Sequence, residues 1–356
     1  MEKKKLKYKY NYDEAIKDKD KILKEFDYPY TKYIYSSRKM IRNFKRLKKV
    51  KPIIANKNFF VPFIHLKEQE KYFDGTHIIL VNNISEYEKV DILSDYFNEE
   101  CRVSCRFFGS VGSIYDYYHK FFDKIIENMK RENLKITLRN IRETIWKYSK
   151  KEKYGECSTF RPKIIKFFID HFKARKILDI SSGWGDRLLG AMASDIDCYH
   201  GFDPNPCLQS GYNKMIEFFK DYVVNKNAEF IIKELPFEKA ELQDNFYDLV
   251  MTSPPYFDIE IYNDAPTQSI YNRNEKDWYD NYLTVWIKIC LKALKKNGVL
   301  ALNINQFKHH NYVNWLLEDM RKNNNWKYLG TIGYANSDKI NEERINVQPV
   351  FIWKKN

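Results

Sequence analysis

The spacing of apolar residues in the second half of the chain predicts strands that alternate with helices. Short apolar runs, bounded by glycine, proline or charged residues, are typical of buried strands, and segments with helical spacing lie between them. This alternation predicts an α/β fold with a doubly wound, mostly parallel sheet. The predicted strands are residues 176–180, 198–203, 230–232, 247–252, 299–304, 326–334 and 347–353.

The first half of the chain has a different pattern. Residues 114–129 and 135–148 carry apolar residues at helical spacing, whereas residues 52–100 contain β-type pieces such as residues 77–81. A lysine-rich stretch at residues 150–157 then breaks the apolar pattern. We therefore predict two domains. They are an α+β accessory domain at residues 1–156 and an α/β domain at residues 157–356.

Positive charge is concentrated in the accessory region. The chain of 356 residues has a formal net charge of +13, and residues 1–157 contribute +12, from 35 Lys and Arg against 23 Asp and Glu. Such an asymmetry is typical of a surface that contacts nucleic-acid phosphates, although a solvated lysine-rich face has the same composition. The densest cluster, called the basic run below, is Arg38, Lys39, Arg42, Lys45, Arg46, Lys48, Lys49 and Lys51. Aromatic side chains in or beside it, which are candidates for stacking on bases, are Tyr33, Tyr35, Phe44, Phe59 and Phe60.

A glycine-containing loop follows the first strand of the α/β region. Residues 181–187 read Ser-Ser-Gly-Trp-Gly-Asp-Arg, between the strand that contains Asp179 and a helix-like segment. Strand, glycine loop and helix form the nucleotide-binding start of a doubly wound sheet. Leu188 stands where a dinucleotide fingerprint has its third glycine, and the Gly-Lys-Ser/Thr of a P-loop is absent. These departures favour a nucleoside without a pyrophosphate, such as S-adenosylmethionine.

Asp203 ends the second predicted strand, 24 positions after Asp179. That interval is close to the roughly 20 residues at which Rossmann-type sites bring a carboxylate to the ribose hydroxyls. Asp203 is therefore the candidate for that contact. It is also placed to cap the helix that begins near Pro206, and the two roles are compatible.

The most informative stretch lies at the end of the fourth predicted strand. An apolar run at residues 247–252 leads into Ser253-Pro254-Pro255-Tyr256, called the tetrad below. Open α/β sheets place their chemistry at such strand ends. Consecutive prolines fix φ and lack N–H donors, so the carbonyls beside them point in fixed directions. For these four residues alone, a Pro-Pro turn that leaves a buried strand is the simpler alternative.

The tetrad resembles motif IV, (D/N/S)PP(Y/F/W), of S-adenosylmethionine-dependent methyltransferases that modify the amino groups of nucleic-acid bases. The loop at residues 181–187 is similar to motif I of that family, and residues 158–162 are similar to its motif X. The resemblance covers roughly residues 157–356, and the extended form Thr-Ser-Pro-Pro-Tyr-Phe-Asp-x-Glu is similar to that of enzymes from large DNA viruses and phages. It implies a Rossmann-like methyltransferase fold with a mostly parallel, seven-stranded sheet, and S-adenosyl-L-methionine as cofactor.

The resemblance also implies roles for single residues. Ser253 and the carbonyl of Pro254 would accept hydrogen bonds from the target amino group, which draws its nitrogen toward tetrahedral geometry, and Tyr256 would stack on the base. Positioning and electrostatics then supply the catalysis, so no metal is implied. Glu238 is an alternative to Phe237 at the adenine ring. The implied catalytic residues are Ser253, Pro254, Pro255 and Tyr256, and the implied cofactor contacts are Phe160, Asp179, Ser181, Gly183, Gly185, Asp203 and Phe237.

The implied reaction is methyl transfer to the exocyclic amino group of a base in DNA. Serine in the tetrad favours cytosine N4 over adenine N6, and the resemblance alone favours DNA over RNA. Two alternatives stay open: an RNA base methyltransferase with the same site, and a non-catalytic nucleic-acid-binding subunit. The accessory domain precedes motif I, whereas common DNA enzymes of this motif order recognise their target after or within the catalytic fold. We therefore do not infer from the family which part of this chain recognises the target.

The polar segment at residues 258–280 follows the tetrad directly. In this family such a loop closes over an extruded base. Asp258 or Glu260 is expected to brace the loop rather than to abstract a proton. The candidates for contacts with base edges or phosphates, against the alternative of an ordinary solvated loop, are Gln268, Ser269, Asn272 and Arg273.

Cysteine usage and hydropathy indicate a compartment. Six cysteines, at positions 101, 105, 157, 198, 207 and 290, together with the lack of a signal peptide, predict an intracellular, cytoplasmic protein with reduced thiols. For a viral protein this is the host cytoplasm. Cys101, Cys105 and His119 do not make a zinc site, because no second cysteine pair follows. No apolar run approaches the roughly 20 residues of a membrane span, and the oligomeric state is left open.

Overall fold

The structure is a computed structural model that describes residues 10–64, 78–83, 87–107, 109–262, 266–269, 273–343 and 345–356. Helix boundaries in it follow local sequence signals. α9 and α11, bounded below, begin at prolines, which suit a first helical turn because they lack an N–H. The helices of the described residues are α1 (Tyr12–Lys17), α2 (Lys19–Glu25), α3 (Thr31–Ile34), α4 (Ser37–Leu47), α5 (Asp95–Val103), α6 (Ile114–Lys120), α7 (Phe122–Arg131), α8 (Leu138–Ser149), α9 (Pro162–Phe172), α10 (Asp186–Met192), α11 (Pro206–Phe219), α12 (Glu275–Trp278), α13 (Thr284–Ala293) and α14 (Tyr312–Lys322).

The strands are short in the first half of the chain and longer toward its end. The strands of the described residues are β1 (Ile53–Asn56), β2 (Phe59–Phe60), β3 (Ile78–Asn82), β4 (Arg106–Phe107), β5 (Gly112–Ser113), β6 (Tyr154–Gly155), β7 (Lys176–Asp179), β8 (Cys198–Phe202), β9 (Glu229–Lys233), β10 (Tyr247–Thr252), β11 (Glu260–Ile261), β12 (Leu294–Asn303), β13 (Trp326–Asn336), β14 (Ile345–Asn346) and β15 (Gln348–Lys355).

One large sheet organises the molecule. Within the described residues it has nine strands, in the order β1-β3-β13-β15-β12-β10-β7-β8-β9. The strands from β12 to β9 are parallel to one another, and β15 is antiparallel to both of its neighbours, β12 and β13. The seven strands from β13 to β9 are the predicted sheet, so the Rossmann-like α/β fold is confirmed.

The sheet is buried on both faces. Ile177 of β7 and Leu249 of β10 pack into one hydrophobic cluster, whereas their neighbours Leu178 and Val250 pack into the other. Successive side chains of a strand point to opposite faces, so a strand covered on both sides needs apolar residues at every position. The uninterrupted apolar runs in the sequence follow from this packing.

The accessory region has a core of its own but is not separate from the sheet. Helices α6, α7 and α8 share a cluster of buried aromatic and aliphatic residues drawn from positions 15–154. The same region adds β1 and β3 to the sheet beyond β13, with β3 parallel to β13 and β1 antiparallel to β3. Phe44 of α4 also stacks on Phe219 of α11, with ring centroids 4.3 Å apart. The division after residue 156 stays a prediction, and buried residues from both sides of it pack together in one hydrophobic cluster.

One predicted helix differs from the observed structure. The segment predicted as one helix at residues 114–129 is two, α6 and α7, because Phe121 leaves helical geometry at φ −119° and ψ 29°. This break lets Tyr118 and Phe122 meet edge to face in one core, with centroids 5.7 Å apart.

A disulfide joins Cys101 of α5 to Cys207 of α11. The expectation that all thiols are reduced is therefore wrong for this pair. The two residues are 106 positions apart in sequence, and only the packing of α5 against α11 brings their Cα atoms to 6.0 Å. Sequence spacing carries no information about such a contact.

Among the helices of the described residues, none combines the length and the apolar character that crossing a membrane would require.

Candidate functional site

The candidate site lies where the carboxyl ends of β7, β8 and β10 meet. From β7 the chain proceeds to β8 and β9 on one side, and β10 then pairs with the other side of β7. Such a reversal of strand order opens a crevice at the carboxyl ends of the strands. It also brings the glycine loop beside the tetrad, since Ser181 Oγ lies 3.0 Å from the Ser253 carbonyl oxygen and donates a hydrogen bond to it.

One cavity runs from the glycine loop to the tetrad. Its walls come from the segment before α9, the ends of the central strands, the loop after the tetrad and the closing strands of the sheet. Nine of the eleven predicted site residues line it: Phe160, Ser181, Gly183, Asp203, Phe237, Ser253, Pro254, Pro255 and Tyr256. Further lining residues include Ser158, Thr159, Trp184, Asp186, Glu238, Glu260, Tyr262, Gln268, Ser269, Tyr282, Asn303, Tyr334 and Gln348.

The two glycines of the loop have different roles. Gly183 lines the cavity and has φ +57°. Gly185 lies behind the lining with φ +95°, and a Cβ atom there would stand 2.7 Å from Met215 Sδ. Positive φ is strained for other residues. Gly185 therefore allows the loop to pack closely on α11 rather than to touch a ligand.

Asp179 supports the loop from beneath and does not line the cavity. Its carboxylate is fully buried and accepts hydrogen bonds from Arg187 Nε at 2.8 Å and Tyr199 Oη at 2.6 Å. Thr252, the last residue of β10, donates to the other oxygen at 3.1 Å. Asp179 thus connects the end of β7, the start of α10 and the residue before the tetrad. The predicted direct contact of Asp179 with the cofactor has no support in this position, because its carboxylate faces these three side chains.

Asp203 faces the cavity with a carboxylate that is anchored by backbone donors. Oδ2 accepts from the Gly183 N–H at 2.8 Å, and Oδ1 accepts from the Asn205 N–H at 3.0 Å. The helix cap that was an alternative role for Asp203 belongs to Asn205 instead, whose side chain accepts from the Cys207 N–H at 3.1 Å. Burial raises the pKa of Asp203 to about 6, against which the two backbone hydrogen bonds act. Each carboxylate oxygen keeps a lone pair for a further donor such as a ribose hydroxyl.

Two aromatic rings flank the cofactor half of the cavity. Phe160 is half-buried and has the Arg187 guanidinium over its ring, 5.0 Å from the centroid. Phe237 is buried, and its ring meets Phe202 edge to face at 5.2 Å. Both are available to contact an apolar face of a nucleoside ligand.

The tetrad ends β10 and turns the chain sharply. Pro254 and Pro255 cannot donate to a strand ladder, so β10 stops at Thr252. Phe257 follows in the left-handed region at φ +48° and packs edge-on against Trp278, with centroids 5.7 Å apart. The Tyr256 hydroxyl lies 3.0 Å from Ser253 Oγ. Burial raises the pKa of Tyr256, so this hydroxyl is neutral at physiological pH.

Sequence reasoning missed Asp186, the first residue of α10. It lines the cavity and is buried, and Ser94, the residue before α5, donates to its Oδ1 at 2.6 Å. Its Oδ2 is buried without a hydrogen-bond partner among the described residues. Burial raises the pKa of Asp186 to about 7, while the Ser94 hydrogen bond opposes the shift. A buried carboxylate oxygen without a donor fits a cationic group, such as the amino group of S-adenosylmethionine.

The accessory region also holds the glycine loop. Asn98 Nδ2 of α5 donates to the Trp184 carbonyl at 3.1 Å, and Trp184 Nε1 donates to the Ser158 carbonyl at 2.8 Å. Ser94 and Asn98 lie about ninety positions before the loop in sequence, so no local motif indicated these contacts.

Asp258 and Glu260 brace the loop after the tetrad. Glu260 Oε1 accepts from the Ser158 N–H at 2.7 Å and from its hydroxyl at 2.8 Å, and Tyr262 Oη donates to Oε2 at 2.6 Å. Asp258 Oδ1 lies 2.9 Å from His310 Nε2. These contacts match the expected structural role of the two carboxylates.

The residues of this loop that were predicted to contact base edges or phosphates differ in whether they line the cavity. Gln268 and Ser269 line the cavity, and Gln268 Nε2 donates to the Glu260 carbonyl at 3.3 Å. Arg273 is outside the lining and donates to the Ser269 carbonyl at 3.2 Å. Asn272 lies outside the described residues.

A group with metal-ligand chemistry lies beside the tetrad. Ligand atoms of Asp258, His309 and His310 are all within 4.8 Å of one another. His310 is buried, and its second ring nitrogen lies 3.4 Å from Glu275. His310 Nε2 is paired with Asp258, whereas His310 Nδ1 is buried without a hydrogen-bond partner among the described residues.

The basic run lies away from the cavity. Arg38, Arg42, Lys45 and Arg46 are exposed along one side of α4, and Lys49, just after the helix, is exposed as well. The opposite side packs on the carboxyl-terminal end of α11, where Lys48 Nζ donates to the Tyr222 carbonyl at 2.8 Å.

Two of the aromatic residues proposed to stack on bases are not free to do so. The prediction is wrong for Phe44, which is fully buried against Phe219. It is also wrong for Tyr35, which is buried with Lys39 Nζ 4.0 Å from its ring centroid. Helical spacing placed Phe44 on the apolar side of α4, and packing decided the outcome. Phe60 is exposed, and Tyr33 and Phe59 are half-buried.

Comparison with known protein families gives a match for one segment of the chain. Residues 247–354 match the family described as DNA methylase. No curated protein matches the sequence. The solved structures similar to this chain include a tRNA (m1A58) methyltransferase from Aquifex aeolicus, with a TM-score of 0.37 and 13% identity over 56% of this chain and 70% of that one. A putative SAM-dependent methyltransferase from Streptococcus mutans has a TM-score of 0.39 and 15% identity over 56% of this chain and 50% of that one. A putative methyltransferase complexed with SAH has a TM-score of 0.40 and 16% identity over the same shares.

The matched segment begins with β10 and contains the tetrad. The residues outside it that face the same cavity fit the cofactor of that family. Asp203 offers acceptors for hydroxyl donors, and Asp186 offers a carboxylate oxygen for an amino group. Residues 247–354 are therefore similar to the DNA methylase family, and the cavity that they share with the glycine loop is the candidate active site.

Proposed function

We propose that this enzyme transfers a methyl group to the exocyclic amino group of a base in DNA, cytosine N4 ahead of adenine N6. The observation that carries the proposal is the position of the tetrad. Ser253 and Tyr256 line the same cavity as Gly183 and Asp203, so an amino group held by the tetrad stands next to the cofactor loop. Both halves of a methyl-transfer site therefore open into one space.

The cofactor half of the site is formed by residues with complementary chemistry. Asp203 would accept from ribose hydroxyls, Asp186 would accept from the amino group of the methionine part, and Phe160 and Phe237 would contact apolar surfaces. When bound, S-adenosylmethionine supplies an electrophilic methyl group on a sulfonium. Trp184 donates to the Ser158 carbonyl and Tyr262 donates to Glu260, and with the cofactor bound these two rings would shield this half of the site from water.

The base half of the site orients a weak nucleophile. The exocyclic amino nitrogen shares its lone pair with the ring, so acceptors on its hydrogens are needed to localise that pair. Ser253 Oγ and the Pro254 carbonyl would be these acceptors, with the prolines holding the carbonyl in a fixed direction. Tyr256 would stack on the base. The proton released by the methylated nitrogen leaves to water, since the nearby carboxylates of Asp258 and Glu260 are engaged in bracing contacts.

Two observations support the choice of base and polymer. Serine in the tetrad favours cytosine N4, and the family description favours DNA. A duplex target has to be extruded, because its amino group is otherwise occupied in pairing. The loop that contains Gln268 and Ser269 borders the cavity and would cover the extruded base. The basic run would contribute phosphate contacts at a distance from the cavity.

The proposal is tested by transfer of labelled methyl from S-adenosylmethionine to duplex DNA, single-stranded DNA and RNA, followed by digestion and nucleoside mass spectrometry. N4-methylcytosine in DNA is the expected product. N6-methyladenine in DNA would correct the base and keep the reaction, and methylated RNA alone would assign the enzyme to the RNA alternative. Cofactor binding without transfer to any polymer would favour the non-catalytic subunit or an acceptor outside nucleic acids.

A further inference from the structure

Hydrogen bonds behind the tetrad form a chain that ends at Ser253. Asn303 Nδ2 donates to the Pro349 carbonyl at 2.8 Å, and the Tyr256 hydroxyl donates to Asn303 Oδ1 at 2.8 Å. The Tyr256 hydroxyl oxygen in turn lies 3.0 Å from Ser253 Oγ. The chain runs from β15 through the last residue of β12 to the cavity wall. Its chemistry determines which way each hydroxyl proton points.

The amide of Asn303 has a defined orientation. The Pro349 carbonyl has no proton, so it pairs only with the NH₂ side of an amide. Asn303 Oδ1 is therefore directed at Tyr256. The position is also fixed by the sheet, because Asn303 pairs with Val350 across β12 and β15 and only 4% of its surface is exposed.

This orientation determines which atom accepts the hydroxyl proton of Tyr256. Besides Ser253, the hydroxyl contacts Asn303 Oδ1 at 2.8 Å and the Asn303 backbone carbonyl at 3.1 Å. Both are acceptors without a proton. The single proton of Tyr256 therefore points to Asn303, and its oxygen is left to accept.

The remaining contact has one consistent assignment, in which Ser253 donates its proton to Tyr256. Both lone pairs of Ser253 Oγ are then free on the cavity side. We infer that Asn303 is a positioning residue that acts through Tyr256 to hold Ser253 as a hydrogen-bond acceptor for the target amino group.

The inference rests on the proposed function and explains a requirement particular to serine. Where the family has aspartate or asparagine in this position, the side-chain oxygen is an acceptor whatever its neighbours do. A serine hydroxyl carries a proton of its own, which can rotate toward the nucleophile and compete for its lone pair. In this protein Asn303 and Tyr256 remove that competition.

The test measures single-turnover methyl transfer and, separately, the cofactor dissociation constant by calorimetry. Tyr256→Phe keeps the stacking ring and Asn303→Leu keeps the side-chain size, so each removes one member of the chain. We expect each to reduce the transfer rate about tenfold, which is the effect of losing one neutral hydrogen bond in a transition state. Cofactor affinity is expected to stay within twofold of the wild-type value.

The decisive comparison repeats these changes in two other backgrounds. In Ser253→Asn the amide oxygen accepts without help, so adding Tyr256→Phe is expected to cost less than threefold. In Ser253→Ala there is no hydroxyl to orient, so the same addition is also expected to cost less than threefold. The Ala background provides the comparison if the Asn variant is inactive. Equal tenfold losses in the Ser, Asn and Ala backgrounds would overturn the inference.

Tyr118→Phe is a matched control. Its hydroxyl is buried in the accessory core and donates to the Phe26 carbonyl at 3.0 Å, outside the cavity. It should leave the transfer rate unchanged and so measures the general cost of losing a buried tyrosine hydroxyl. If the wild-type enzyme transfers no methyl to any polymer, the proposed function fails and the inference fails with it. If wild-type transfer occurs and Tyr256→Phe matches the Tyr118→Phe control, the inference alone fails.

Discussion

Asp203 and Asp186 are two carboxylates on the cofactor side of the cavity whose pKa values lie close to neutrality. Burial raises the pKa of Asp203 to about 6 and the pKa of Asp186 to about 7. Both are proposed to accept hydrogen bonds from S-adenosylmethionine, which requires the ionised form. A bound donor stabilises that form, so binding and ionisation favour each other.

Cofactor affinity is therefore expected to fall as the pH is lowered from 8 to 5. Asp186 takes up a proton as the pH falls through about 7, and Asp203 does so as it falls through about 6. Loss of each charged acceptor weakens binding by about tenfold or more. Isothermal titration calorimetry across this pH range measures the effect.

The Asp203→Asn variant is the control for this assignment. It should bind the cofactor more weakly at pH 8 and should keep only the decline centred near pH 7. Asp203→Ala is expected to weaken binding further, since it also removes the anchors to the loop backbone. A variant with wild-type affinity would mean that Asp203 is outside the cofactor site.

Tyr256→Ala is expected to abolish methyl transfer and to leave cofactor affinity largely intact. The change removes both the stacking ring and the partner of Ser253, whereas the contacts of Asp203 and Asp186 lie in the other half of the cavity. Single-turnover assays and calorimetry on the same preparation separate the two effects. Retained transfer would contradict the assignment of the base half of the site.

Residues of the site differ in how far they could be predicted. The tetrad and Asp203 stand directly after apolar runs, and a strand end in sequence is also an end of the sheet in space. Asp179 was expected to line the cavity because it precedes the glycine loop, but its carboxylate binds Arg187 instead. Asn303 and Ser94 had no local signal, since each reaches the site from a distant element.

At the scale of elements, the seven strands from β13 to β9 could be predicted from the sequence. The addition of β1 and β3 beyond β13 could not. Strands buried on both faces are apolar throughout, which made β7, β10 and β12 recognisable. β1 and β3 are short, and their place beside β13 depends on pairing across more than 200 positions. The attachment of α5 to the glycine loop depends likewise on tertiary packing.

Reduction of the disulfide between α5 and α11 is expected to lower the free energy of unfolding by about 2–4 kcal/mol. The crosslink spans 106 positions, so it restricts the unfolded chain strongly. Chemical denaturation with and without reductant measures the difference. The Cys101→Ser/Cys207→Ser variant should behave like the reduced wild type and should not respond to reductant. Six alkylated cysteines after denaturation without reductant would contradict the pairing.

At the scale of the whole molecule, the basic run and the cavity are at opposite ends of one helix. α11 begins beside Asp203 and has 14 residues, so its far end is about 21 Å away. α4 packs on that far end through Phe44. At about 3.4 Å per base pair, a straight duplex covers this distance in about six base pairs.

The Arg42→Gln/Arg46→Gln variant is therefore expected to bind long duplexes less tightly, with a salt dependence of log affinity that is lower by about two. Duplexes with only about four base pairs on each side of the methylated base should not distinguish the variant from the wild type. Fluorescence anisotropy over a range of salt concentrations measures both. Lys288→Gln/Lys292→Gln, an exposed pair on α13 with the same spacing, is the matched control. Equal salt dependence in all three proteins would identify the basic run as a solvated face.

The added strands have a consequence for synthesis of the chain on the ribosome. β3 pairs with β13, and Asn82 hydrogen-bonds to Asn336 across 254 positions. At about 5–20 residues per second, roughly 13 to 50 seconds pass between translation of the two strands. An isolated two-stranded hairpin is marginally stable in water, so β1 and β3 have no lasting partner during that time. Until residues 326–336 have been synthesised, β1 and β3 cannot join the large sheet, so the order of translation affects how these strands assemble.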